Sequence, residues 1–489
     1  MSSSSVARWR KLGDPSDRDD RFHDECGVCA VWGHADAANL VYLGLYALQH
    51  RGQESAGIAS FDGDELRHHK AMGYVADIFD RETLRRLPGL VAVGHVRYST
   101  AGDSSLVNAQ PVFANTHRGR LAVAHNGNLV NAQQLRRRLE RDGAIFQSSS
   151  DSEVFLHLLA RSRAARFEDA LLEALDAGRG AYSMVVMVDG RLFAARDPHG
   201  FRPLVLGRLG ESWIVASETC AFDLIEAREV REVGPGEVVE LWGEEPWVIR
   251  PASPGPFSHC VFEHIYFARP DSRVFGEDVQ AVRLELGRQL ARERPVPADV
   301  VVGVPDSGIP AALGYAHASG VPFALGMVRN HYVGRTFIEP RQSIRHFGVK
   351  IKLNAVRSVV AGRRVVLVDD SIVRGTTSRK IVTMLRHAGA TEVHLRISSP
   401  PTIGPCFYGI DTPERRELIA SSQSVEQIRA FVGADSLGYL TENGMLACLR
   451  TPAEHFCTAC FSGRYPVLDP DGAAEVVDTD RSSAIIPGP

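Results

Sequence analysis

The sequence predicts two domains of different class: a layered α+β domain, followed by an α/β domain built on a parallel sheet. Three observations carry that expectation. The first half alternates short β-like runs with turns and helical patterns. The second half contains continuous β-branched runs, each followed by a polar loop and a helical pattern. A Pro/Gly-rich stretch, IRPASPGPF at 249–257, separates the two. At 489 residues the chain is also too long for one ordinary core.

Residues 1–25 are rich in Ser, Arg and Asp and lack periodicity, so they are expected to be poorly ordered. They contain no apolar h-region, and the acids of DRDDR at 17–21 argue against an organellar transit peptide. From Cys26 onward, CGVCAVWG, ESAGIASF, LVAVGHVRY, RLAVAHNGNLV, AYSMVVMV and SWIVAS read as strands, and 131–142 and 151–165 as helices. This first domain is expected to span 26–248. Beyond the linker, DVVVGV at 299–304 and RVVLV at 364–368 are buried-strand runs whose ligand loops belong at their carboxyl ends. The second domain is expected over 258–463, with a flexible Pro/Gly/Asp/Ser-rich tail at 464–489.

Composition narrows the functional class. The chain is 44% hydrophobic and 23% charged, as globular proteins are, and 55 Lys+Arg against 59 Asp+Glu leaves a net charge of −4. That balance offers no electrostatic footprint for nucleic acid and favours a small-molecule substrate. No stretch approaches the ~18 apolar residues of a membrane span, so a soluble, cytoplasmic protein is expected. Eight cysteines without an export signal point to reduced thiols used for catalysis or metal rather than to disulfides.

The strongest motif is VVLVDDSIVRGTTS at 365–378. A buried strand delivers Asp369 and Asp370 to its end, and Arg374, Gly375, Thr376, Thr377 and Ser378 open a helix running to about His387. Backbone N–H groups, hydroxyls and the helix dipole suit a phosphate there, and the paired acids suit ribose hydroxyls or a hydrated Mg²⁺. A DD pair alone reads equally as a strand cap. The whole string resembles the signature of the type I phosphoribosyltransferases, which bind phosphoribosyl diphosphate. That resemblance implies a diphosphate loop at VPDSG (304–308), with Ser307 touching metal or diphosphate. It also implies a lid at 329–345, whose Arg335, Arg341 and Arg345 balance transition-state charge.

The first half begins with Cys26-Gly27-Val28. A thiol attacking an amide needs a base, and an N-terminal cysteine exposed by cleavage before Cys26 can use its own α-amine. The bland reading, a buried strand cysteine, suits Cys29 better. The motifs behind it resemble the N-terminal-nucleophile glutamine amidotransferases, which implies a four-layer αββα sandwich. HVRYST at 95–100 then places Arg97 on the glutamine α-carboxylate, with Tyr98 beside it as a coupling residue. HNGNL at 125–129 supplies Asn126 and Gly127 as the oxyanion hole, and SSSDSE at 148–153 places Asp151 on the α-ammonium.

Cys457 and Cys460 form a CxxC, and Cys260 and Cys406 complete a Cys₄ set whose spacing suits zinc or an iron–sulfur cluster equally. Cys220 and Cys448 read as packing residues. Both halves together, from about Cys26 to Gly463, resemble the glutamine-dependent phosphoribosylpyrophosphate amidotransferases, which make phosphoribosylamine, glutamate and diphosphate in the first step of purine synthesis. The resemblance implies ammonia channelling and one Mg²⁺ per subunit, held by Ser307, Asp369 and Asp370. In one branch of that family it also implies a cleaved leader and one [4Fe–4S] cluster per subunit on Cys260, Cys406, Cys457 and Cys460. Glutamine and phosphoribosyl diphosphate as substrates, purine-nucleotide feedback inhibition and a homotetramer follow as further expectations. Hexosamine- or asparagine-forming amidotransferases lack a counterpart of the 365–378 string. The intact Cys26, Arg97, Asn126 and Asp151 set argues against a catalytically dead nucleotide sensor.

Overall fold

The computed structural model describes residues 26–98, 105–330 and 353–468. The 1–25 leader, most of the 464–489 tail, and Arg335, Arg341 and Arg345 lie outside them. The first half folds as two stacked sheets. One runs, edge to edge, Arg228–Glu232, Val205–Leu209, Ser212–Ala216, Gly27–Trp32, Val91–Arg97, Ser55–Phe61 and Leu66–Met72. The other runs Trp247–Arg250, Val238–Leu241, Arg191–Arg196, Gly180–Val188, Gly119–Leu129 and Val112–Thr116.

Strand periodicity sorts the side chains into layers. Val28 and Ala30 of the first sheet meet Ala122, Ala124, Val185 and Met187 of the second in the central layer. Cys29 and Val31 face the other way, onto the helix Ala37–Ala47. On the far side, Val123, Met184 and Val186 pack under the helices Ser152–Arg161 and Phe167–Ala177. The result is the αββα sandwich. Cys29 is fully buried, as expected of a packing cysteine. Of the two expected helices, 131–142 appears as Ala132–Arg141, whereas 151–165 stops at Arg161 because Ser162 leaves helical geometry at ψ 142°.

The second half holds a parallel four-stranded sheet in the order Val300–Gly303, Arg364–Asp369, Glu392–Ile397, Ser436–Tyr439. Both faces are covered, which is why its strands read as continuous apolar runs. Val301, Val366 and Val368 pack on one side with residues of the helices Val279–Glu293 and Gly308–Ser319. Val300, Val302, Val365 and Leu367 pack on the other with residues of Thr376–His387 and Val425–Val432. No helix among the described residues is long and apolar enough to cross a membrane.

Candidate active site

Strand register assembles the first constellation. Gly27 pairs with Val96, which sets Cys26 beside the end of the strand carrying Arg97. Cys26 is 5% exposed, its Sγ donates to the Tyr98 carbonyl at 3.5 Å, and its own carbonyl accepts from Arg51 Nε at 3.2 Å. Arg97 is buried at 2% exposure, with Glu54 at 3.8 Å. Gly52 is obligatory here, since a Cβ on it would lie 2.6 Å from the Val96 carbonyl carbon.

Asn126 and Gly127 lie on the Gly119–Leu129 strand of the facing sheet. Asn126 is fully buried, yet neither its Nδ2 nor its Oδ1 has a partner. A buried primary amide without partners costs about 1–3 kcal/mol per group, so an amide held this way is aimed at something absent from the folded chain. Gly127 sits at φ +146°, and a Cβ there would lie 2.1 Å from the Ala181 carbonyl oxygen. Asp151 occupies the N-cap position of Ser152–Arg161, but its side chain does not cap that helix. Its Oδ2 instead accepts from Leu129 N at 3.0 Å, tying it to the Asn126 strand.

The second constellation lies at the carboxyl ends of the parallel strands. Asp369 ends its strand, and both it and Asp370 are largely buried. Asp370 Oδ1 accepts from Ser307 Oγ at 2.6 Å, which joins the two loops singled out in the sequence. A Cβ on Gly308 would lie 2.5 Å from the Val368 carbonyl oxygen, so glycine permits that approach. Gly375, at φ +79°, precedes Thr376–His387, and Ser378 is buried in its first turn. Arg374 is held by Glu417 at 2.8 Å.

Three segments carrying four cysteines meet at the seam between the halves. His259–Cys260 pairs in parallel with Phe456–Cys457, and the Cys460 carbonyl accepts from Ile403 N and Gly404 N, ahead of Cys406. Burial pushes the Cys457 thiol up to about 12. Burial, followed by the charges of Cys260, Cys406 and Cys457, pushes Cys460 well above its usual value. Among the described residues no three His, Cys, Asp or Glu side chains gather tightly enough to hold a metal ion. Cys220 is buried in its helix, while Cys448 is partly exposed.

The sequence reading missed a buried charge network beneath Cys26. Arg51 donates to Glu218 and, at 2.7 and 3.0 Å, to Glu263 of the second half. Arg202 reaches Glu263 at 3.3 Å and donates twice to the Tyr408 carbonyl. Although burial opposes ionisation, His50 and Arg51 hold the Glu218 carboxyl well below its usual range. The one local signal was a charged Glu218 directly after the apolar run SWIVAS.

Comparison with known proteins matches each half separately. A glutamine amidotransferase domain family matches residues 95–223, and a phosphoribosyl transferase domain family matches 285–398. The chain is therefore of the class that joins an amidotransferase to a phosphoribosyltransferase. Amidophosphoribosyltransferase of Bacillus subtilis (strain 168) is 51% identical over 450 residues, covering 91% of this chain and 94% of that protein. The chloroplastic amidophosphoribosyltransferase 2 of Arabidopsis thaliana is 53% identical over 458 residues, covering 93% and 81%. The solved B. subtilis glutamine phosphoribosylpyrophosphate amidotransferase, complexed with ADP and GMP, superposes with TM-score 0.86 at 49% identity, covering 92% of this chain and 99% of that one. The chain belongs to the amidophosphoribosyltransferase family of purine biosynthesis.

Proposed function

We propose that the two constellations divide the family's reaction between them, with Cys26, as the first residue of the processed chain, taking ammonia from glutamine. Its α-amine accepts the thiol proton while Sγ attacks the side-chain carboxamide carbon. Asn126 Nδ2 and Gly127 N–H donate to the oxyanion, the Cys26 α-ammonium returns its proton to the leaving nitrogen, and collapse expels ammonia, leaving a thioester that water hydrolyses to glutamate. Arg97 holds the glutamine α-carboxylate and Asp151 its α-ammonium. The observation that carries this reading is the buried, partnerless Asn126 amide, on the sheet that packs against the one Cys26 leads into.

Asp369 and Asp370 hold the ribose hydroxyls of phosphoribosyl diphosphate, and Arg374 through Ser378 cradle its 5′-phosphate. Ammonia attacks the anomeric carbon and diphosphate leaves. Passage past Tyr98, out of bulk water, keeps ammonia unprotonated. Ser307, Asp369 and Asp370 would hold one Mg²⁺, which would neutralise charge on the leaving diphosphate. Cys260, Cys406, Cys457 and Cys460 are a pure thiol set, and a cationic centre would stabilise the thiolates that burial otherwise disfavours. These four residues would hold a [4Fe–4S] cluster, which would tie 259–260, 406 and 456–460 together. Its contribution is structural. Feedback by purine nucleotides is supported by the relative solved with ADP and GMP, and a homotetramer completes the proposal.

The test compares glutamine with ammonia as nitrogen source. Cys26→Ala is expected to lose glutamine-dependent synthesis by at least about 10³-fold while keeping the ammonia-dependent rate. Asp370→Ala is expected to lose both. Equal loss of both activities in Cys26→Ala overturns the partition. Iron and sulfide analysis of anaerobically purified protein checks the cluster, and stoichiometric zinc would refute it.

A further inference from the structure

The Val112–Thr116 strand pairs with Gly119–Leu129 only as far as Val112 opposite Val123. The pairing ends there, at Pro111. His125, two residues beyond Val123, would therefore present an unpaired N–H and C=O on that edge, next to Asn126. A side chain takes the place of the missing strand. Gln110 Oε1 accepts from His125 N at 2.8 Å, and Gln110 Nε2 donates to the His125 carbonyl at 3.3 Å. Gln110 is 4% exposed, and its main chain lies so close to the other sheet that a Cβ on Gly57 would stand 2.3 Å from its carbonyl oxygen.

The same carbonyl takes a second bond from the facing sheet. His95 Nε2 lies 3.0 Å from it, on the strand that ends in Arg97. A carbonyl can only accept, so His95 carries its proton on Nε2, and its buried Nδ1 is left without a partner. The His125 ring in turn donates from Nε2 to the Ala181 carbonyl at 3.2 Å, and its Nδ1 meets Ser152 Oγ at 3.3 Å, beside Asp151. One main-chain unit is thus gripped by Gln110 and His95, immediately before the Asn126 amide.

We infer that Gln110, assisted by His95, is a positioning residue that acts through the His125 main chain to preset Asn126 and Gly127 for the oxyanion. This rests on the glutaminase reading above. Because Gln110 touches no substrate atom, its effect falls on the tetrahedral state, where donor placement matters most, rather than on ground-state glutamine.

The experiment uses the full-length enzyme with Gln110→Leu and Gln110→Glu. Gln110→Leu is expected to lower glutaminase kcat by about 10- to 100-fold. KM for glutamine and inhibition by glutamate should stay within about twofold. Inhibition by glutamate γ-semialdehyde, whose thiol adduct is tetrahedral, should weaken by the same factor as kcat. Ammonia-dependent synthesis and the rate of Cys26 alkylation by iodoacetamide should be unchanged. Gln110→Glu covers the case in which the leucine variant fails to fold. A protonated carboxyl reproduces both bonds and a carboxylate cannot, so its kcat relative to wild type should rise as pH falls.

Unchanged kcat and unchanged aldehyde inhibition would overturn the inference, as would a KM increase with kcat intact. A pH-independent Gln110→Glu ratio would overturn it too. Wild type that keeps turning over glutamine after Cys26 is blocked would overturn the site itself, and the inference with it.

Discussion

His95 shows how a buried side chain writes itself into the pH dependence of the fold. Burial holds its pKa down to about 3, from about 6.5 in the unfolded chain. Above pH ~6.5 both states keep it neutral and it contributes no slope. Between about 6.5 and 3 the unfolded chain binds a proton that the folded chain refuses, so stability falls with pH by up to about 1.4 kcal/mol per unit. We expect denaturant midpoints to drop from pH 7.5 to 5, and His95→Gln to remove that part of the drop. An unchanged slope in the variant would count against a neutral, buried His95. At this scale local strings were enough to nominate the candidates Cys26, Arg97, Asn126, Asp151 and the acids at 369 and 370. They hid Gln110 and Glu218, because their meaning lies in partners 15 and 167 residues away.

Among elements, apolar strands were legible and polar ones were not. Leu66–Met72 reads LRHHKAM and sits at a sheet edge, where neither face is fully buried and no alternation announces it. The loop carrying Cys406 was legible as a thiol position but not as a brace for the Asn126 strand. Asn128 Nδ2 donates to the Phe407 carbonyl at 2.9 Å, and a Cβ on Gly409 would lie 2.9 Å from Gly127 Cα. Gly409 also stands at φ +104°, where other residues are strained. Gly409→Ala should therefore press on Gly127 and lower glutamine-dependent turnover about tenfold, a cost of about 1–2 kcal/mol. Ammonia-dependent synthesis should stay near wild type, and equal loss of both would place the damage elsewhere.

Across the whole molecule, the two halves are joined by buried charge. Arg51, Arg202, Glu218 and Glu263 are each 1% exposed or less, and Arg51 links the Cys26 carbonyl to Glu263 of the other half. Removing one partner leaves its neighbours charged and dry, so Glu263→Gln should cost about 3–5 kcal/mol. Urea denaturation read by fluorescence checks this, and a loss below about 1 kcal/mol would mean that the network is solvated. The parallel pairing of His259–Cys260 with Phe456–Cys457 has a further consequence, in time rather than energy. The partner strand leaves the ribosome some two hundred residues after the first, which at about 5–20 residues per second is roughly 10–40 s. Throughout that interval Cys260 lacks its partner Cys457, and His259 and His264 lack the Phe456 ring that packs against them. The nascent chain carries an unpaired strand and an uncovered aromatic edge until residues 456–457 complete the seam.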